Sequence, residues 1–177
     1  MAEQNIVTPK KNIDYNCDLA QSFGVYKNET DLDLIDYMSS VNISCGFHSG
    51  DPITIKKVIE YCKNKNKVIG AHIGFPDIQG FGYRNIELDD EEIEAVVLYQ
   101  LGALASFAKA YGLEIEHVRP HGAMYKQASE NITFSLAIAK AVQKFSKWLV
   151  YYGAAGSVLE RVAEDTNICV ARELQLD

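Results

Sequence analysis

Six times along this chain a short apolar stretch with strand character is followed by a loop or a segment of helical periodicity. That alternation constrains the fold more than any other feature. Strands separated by helices pair in parallel through right-handed crossovers, so the chain is expected to be an α/β domain built on one parallel sheet. The strands are read at residues 12–18, 41–45, 68–71, 115–119, 148–152 and 168–171, and the helices at 31–39, 51–63, 89–111, 129–144 and 155–165. Asp51-Pro52 suits a helix start: the aspartate caps free N–H groups and proline fits the first turn. Ile55, Val58, Ile59 and Cys62 then recur on one face. Such a sheet either stays open and doubly wound or curls into a barrel.

With 177 residues and 47% hydrophobic composition, the chain supports one substantial core. Residues 1–11 read as a polar lead-in, and residues 12–177 as a single domain. The net charge is −7, and the densest lysines (Lys56, Lys57, Lys63, Lys65, Lys67) alternate with apolar residues as a solvated helix face does. A nucleic-acid surface is not expected. Four scattered cysteines lack the C-x-x-C spacing of structural zinc, and strand cysteines behave as small hydrophobes. No leading apolar run or membrane-length segment is read, which points to the cytoplasm. Gly80-x-Gly82 and Gly153-x-x-Gly156 are fragments of neither the dinucleotide nor the Walker pattern, although the N–H groups at 154–157 could hold an anion.

In parallel α/β architectures, chemistry gathers at the C-terminal ends of the strands. The polar outliers fall there. On the first strand Asp14, Asn16 and Asp18 share one face, with Ile13, Tyr15 and Cys17 on the other. The second strand leads to His48, the third ends at His72, and the fourth gives His117, Arg119 and His121 on one parity. Mid-strand His117 suits a core role equally well. Arg119 needs a partner in an apolar strand: an ion pair with Asp14 or Asp18, a substrate carboxylate, or both. Residues 73–85, rich in glycine and aromatics, are long for a βα loop and suit a wall or lid. The cluster fits general acid–base hydrolysis of a small amide or lactam. It equally fits a divalent metal held by Asp18, His48 and His72. No G-x-S-x-G elbow is present.

The stretches I-D-Y-N-C-D-L (residues 13–19), N-I-S-C-G-F-H-S-G-D-P (42–52), G-A-H-I-G-F-P-D-I-Q-G-F-G (70–82) and H-V-R-P-H-G-A-M-Y (117–125) closely resemble the LamB/YcsF family. That resemblance implies a β/α barrel related to the seven-stranded glycoside hydrolase and deacetylase barrel, here shortened or incomplete. It implies the role of the A component of a prokaryotic 5-oxoprolinase, opening 5-oxo-L-proline to L-glutamate with ATP as co-substrate and separate B and C subunits. The family's polar positions carry onto Asp14, Asn16, Asp18, His48, Asp51, His72, Asp77, Arg119 and His121. From their positions, Asp18, His48, His72 and His121 are assigned catalysis: Asp18 or His48 the base, His72 or His121 the acid or oxyanion stabiliser. Asp14, Asn16, Asp51, Asp77 and Arg119 are assigned substrate binding. Ala20-Gln21 stands where the family has Gly-Glu, Ile73 where it has proline, and Arg119 where it has lysine. The chain stops at A-R-E-L-Q-L-D where family members continue, so a bare seam and self-association are expected. Two other activities fit: a metal-dependent deacetylase or amidohydrolase, and a diverged binding protein without turnover.

Overall fold

The computed structural model describes residues 13–28 and 31–175; the lead-in at 1–11 and the start expected for the first strand lie outside them. Six strands run in chain order: β1 (Asn16–Leu19), β2 (Ser40–Ser44), β3 (Val68–Ile73), β4 (Ile115–Pro120), β5 (Val150–Ala154) and β6 (Val170–Glu173). They form one sheet, ordered β1-β2-β3-β4-β5-β6, and each neighbouring pair is parallel. The sheet curls through 203° into an open half-barrel. Among the described residues, β1 pairs only with β2 and β6 only with β5.

Helices cover the convex face: α1 (Asp31–Ile35), α2 (Pro52–Asn64), α3 (Asp90–Ala110), α4 (Gly122–Glu130), α5 (Ile132–Phe145) and α6 (Leu159–Thr166). The Asp51 carboxylate accepts from the Ile53 and Thr54 N–H groups, as the sequence leads one to expect, and α2 buries Ile55, Val58, Ile59 and Cys62. A reciprocal Asp89–Glu92 capping box starts α3. By length and apolar composition α3 could cross a membrane, contrary to the reading that no segment reaches that length. It instead packs on β3 and α5, burying Ile93, Val97, Leu101 and Leu104.

Residues 120–128, where the sequence pattern announces no helix, contain most of α4. Its buried side chains are Ala123, Met124 and Ala128, too small an apolar stripe to stand out. Asn131 separates α4 from α5 and caps the latter, accepting from the Phe134 N–H. Helix α6 starts at Leu159 because residues 155–157 form turns. Ala20, just past β1, is fully buried at φ 60°, the left-handed region that favours glycine.

The concave face is polar. On β1 and β2 it carries Asn16, Asp18, Ser40 and Asn42, joined side chain to side chain. His117 reaches across β3 and donates from Nε2 to Asn42 Oδ1 at 2.7 Å. It passes over Gly70, where a Cβ would sit inside the imidazole ring. The His117 ring stacks on Tyr152 at 4.3 Å between centroids.

Candidate active site

Four strand exits deliver the polar side chains singled out in the sequence. Asp18 lies near the end of β1 and His72 near the end of β3. His48 hangs in the turn after β2, and His121 is the residue preceding α4. All three histidines are buried, at 1%, 0% and 3% exposure, whereas the Asp18 side chain is 28% exposed. Asp18 is therefore the solvent-facing end of a connected chain. Its Oδ2 lies 3.2 Å from His72 Nε2, and His72 Nε2 lies 3.1 Å from His121 Nδ1. The His48 ring stacks on His121 at 4.0 Å and meets His72 edge-on at 5.2 Å.

The hydrogen bonds fix the tautomers. His72 Nδ1 lies 3.1 Å from the Arg119 carbonyl oxygen, and His121 Nε2 lies 2.7 Å from that of Phe81. A carbonyl only accepts, so both nitrogens carry hydrogens. In neutral rings, His72 Nε2 and His121 Nδ1 are then lone pairs facing each other, with the Asp18 carboxylate beside them. Three acceptors meeting without a donor require a positive charge between them, a proton or a metal ion. One ring nitrogen from each of His48, His72 and His121 lies within 4.8 Å of the others, close enough for a single ion.

The electrostatics follow from this crowding. Burial works to raise the Asp18 pKa, but His72 and Arg119 outweigh it and, with an Asn42 N–H bond, hold the carboxyl well below its usual range. Burial, then the neighbouring His72 and His121, push His48 well below the ordinary histidine value. His121 is lowered to about 4 by burial and then by His72.

Arg119 resolves the choice left open in the sequence. Its guanidinium pairs with Asp18 at 3.0 Å and, through Nε, with Glu173 on β6 at 2.8 Å, and it stacks on Tyr125. One side chain from β4 thus ties together the two outer strands of the half-barrel. Asp14 instead accepts from Ser40 Oγ at 2.6 Å and Tyr152 OH at 3.1 Å. Asn16 belongs to that same lower layer.

Two expected substrate-binding residues hold local turns and caps. Asp51 caps α2 and accepts from the Gly24 N–H. Asp77 pins the 73–85 loop by accepting from Gly80 N–H and the Arg84 guanidinium, and Arg84 lowers its pKa to about 2. The loop packs against the histidines. Phe81 and Tyr83 pack edge-on against His121, and a Cβ at Gly82 would strike His121 and His48. Gln100 of α3, not singled out in the sequence, anchors its start: its amide accepts from Gly74 N–H and donates to Gly74 C=O. Nor were Ser44, Asn42, Tyr125 or Glu173. A small recess is lined by Pro120, Tyr125, Ser129, Tyr152 and Ser157 among others, next to the Tyr125 ring on which Arg119 stacks; the histidines do not line it.

The sequence model of the LamB/YcsF family matches residues 13–177. The chain belongs to the LamB/YcsF family. Among its LamB/YcsF relatives, a protein from Tolumonas auensis named as the A component of 5-oxoprolinase is 44% identical over 165 residues, covering 93% of this chain and 66% of its own length. One of the same name from Bacillus subtilis is 45% identical over 165 residues, with 93% and 64% covered. The crystal structure of the lactam utilization protein from Thermus thermophilus superposes with a TM-score of 0.89 at 40% identity, covering 93% of this chain and 66% of that one. This LamB/YcsF chain thus spans slightly under two thirds of the length of these relatives.

Proposed function

We propose that this chain supplies the A-type part of a 5-oxoprolinase, a cytoplasmic hydrolase that opens 5-oxo-L-proline to L-glutamate with ATP as co-substrate and with B and C partner subunits. One observation carries the reading: Asp18, His72 and His121 converge within 3.2 Å of one another along the series, at the strand ends of a chain whose relatives are named as the A component of 5-oxoprolinase.

The chemistry is demanding because amide resonance keeps the lactam carbon weakly electrophilic. Phosphoryl transfer from ATP to the amide oxygen removes that protection. Water then adds to the carbon, and the C–N bond breaks as the nitrogen takes a proton. The resulting acyl phosphate is hydrolysed by a second water to glutamate and phosphate. Asp18 or His48 is the base that takes the proton from water; Asp18 is ionised and solvent-facing, and burial keeps His48 neutral. His72 and His121 return a proton to the nitrogen or stabilise the developing oxyanion. Arg119 holds Asp18 in its ionised form and, through its remaining donors, offers a fork for the substrate carboxylate. Among the described residues β1 and β6 are the outer strands, and there a further strand or a second copy would add.

Mixing the protein with candidate B and C subunits and following glutamate release from 5-oxoproline tests the reading. Release that requires both ATP and this chain is expected. Tight 5-oxoproline binding without release would select a non-catalytic binding role instead.

A further inference from the structure

We propose that His48, His72 and His121 form a binding site for one transition-metal dication such as Zn²⁺, with Asp18 beside it as a fourth, solvent-facing ligand or the acceptor for a bound water. The inference shares its residues with the proposed hydrolytic site, yet it stands or falls without any substrate.

Three independent observations support it. The first is spacing. His72 Nε2 lies 3.1 Å from His121 Nδ1 and 3.2 Å from Asp18 Oδ2. Ligand atoms bound to one zinc at about 2.1 Å lie roughly 3.0–3.4 Å from one another, so these two separations match the edges of a coordination polyhedron, and the His48 nitrogen, within 4.8 Å of the other two, moves inward when the ion binds. The second is donor accounting. The outer nitrogens of His72 and His121 donate to the carbonyls of Arg119 and Phe81, which points the lone pairs of both rings at each other. His48 Nε2 lies 3.1 Å from Ser44 Oγ, which leaves its buried Nδ1 as a nitrogen with no hydrogen-bond partner. Each of the three thus has one nitrogen held by an outer partner, as metal-bound imidazoles do; His117 is held likewise through Nε2, but the group of ligand atoms within reach of a single ion does not include it. The third is burial. All three histidines are nearly inaccessible, with Phe81 packed edge-on against His48 and His121, and a buried lone pair without a partner is costly.

The donor set also selects the metal. Three imidazoles suit zinc, iron, nickel or cobalt; magnesium and calcium prefer oxygen ligands. His121 joins the Asp18, His48 and His72 suggested by the sequence, and Asp18 is also paired with Arg119 and Asn42. A bound dication would act as a Lewis acid at the solvent-facing side of the cluster.

The test uses the full chain stripped of metal by chelation and titrated with Zn²⁺ in competition with a chromophoric chelator. One equivalent should bind, and a large excess of Mg²⁺ should not displace it. Ser44→Ala, which removes only the outer partner of His48, should weaken binding about 10-fold or more. His121→Ala should abolish stoichiometric uptake, whereas His117→Ala, in the lower layer, should retain it. Co²⁺ added to the unmodified protein gives a second readout that needs no variant: visible ligand-field bands of a nitrogen-rich, low-coordinate site. Absence of those bands, or equal Zn²⁺ uptake by wild type and by folded His121→Ala, would overturn the assignment. Loss of glutamate formation with metal binding intact would instead count against the lactam-opening reading alone.

Discussion

The concave face of the half-barrel carries two polar layers that look alike in sequence and differ in how their hydrogen bonds balance. In the lower layer, donors meet acceptors except at His117 Nδ1, a buried nitrogen without a hydrogen-bond partner. Asn16 and Asn42 exchange amide bonds, Ser40 and Tyr152 donate to Asp14, and His117 donates to Asn42. In the upper layer, acceptors converge on acceptors around His72 Nε2. A buried polar group costs little when it is matched and several kcal/mol when it is not. The lower layer therefore reads as structure, and the upper layer as a place prepared for a proton, an ion or a reacting molecule. Asn42 joins the two, since its Nδ2 also donates to Asp18 at 2.8 Å.

The sharpest way to break this comparison is to truncate one histidine from each layer. His72→Ala or His121→Ala should lower glutamate formation by the reconstituted complex about 10³-fold or more. Circular dichroism should show the fold retained. His117→Ala should keep most turnover per folded molecule and lose stability instead; the opposite assignment of effects would merge the two layers. Next in size is Gly70→Ala. The added methyl expels His117 from its bond with Asn42, and a loss of about 3 kcal/mol in denaturant unfolding is expected.

Acid should act on the lower layer through His117. Burial lowers its pKa to about 4 from an ordinary value of 6.5, so between these pH values the unfolded chain binds the proton that the folded chain refuses. Stability is full above pH 6.5 and falls as the pH drops towards 4, by at most about 3 kcal/mol from this group. His117→Phe should flatten that part of the pH–stability curve, and an unchanged slope would remove His117 as its source. The smallest effect is expected at Ala20→Gly, which relieves a left-handed alanine and should stabilise the fold by about 1 kcal/mol.

Much of this was legible in the chain itself. Hydrophobic periodicity marks β2, β3, α2, α3 and α5, because each buries a continuous apolar face. The rule that chemistry sits at strand ends picks out Asp18, His48, His72 and His121 before any of them is seen together. What escaped has physical reasons. Helix α4 buries mostly alanine and so lacks a stripe. Glu173 reads as a charged strand exit because its partner, Arg119, lies 54 residues away and only the curl of the sheet brings them together. Asp51 and Asp77 share sequence motifs with the histidines, yet their carboxylates are spent on a helix cap and a loop turn. Donor and acceptor matching, which separates the two layers, is invisible without coordinates.

The central claim, that His48, His72 and His121 act as one unit from which His117 is excluded, has a direct test. Long-range ¹H–¹⁵N spectra of the histidine rings, recorded on metal-free protein and again after one equivalent of Zn²⁺, should show the three upper rings shifting together. The His117 ring should keep its Nε2–H form unchanged. A His117 ring that moves with the others, or upper rings that respond separately at different zinc levels, would contradict the account.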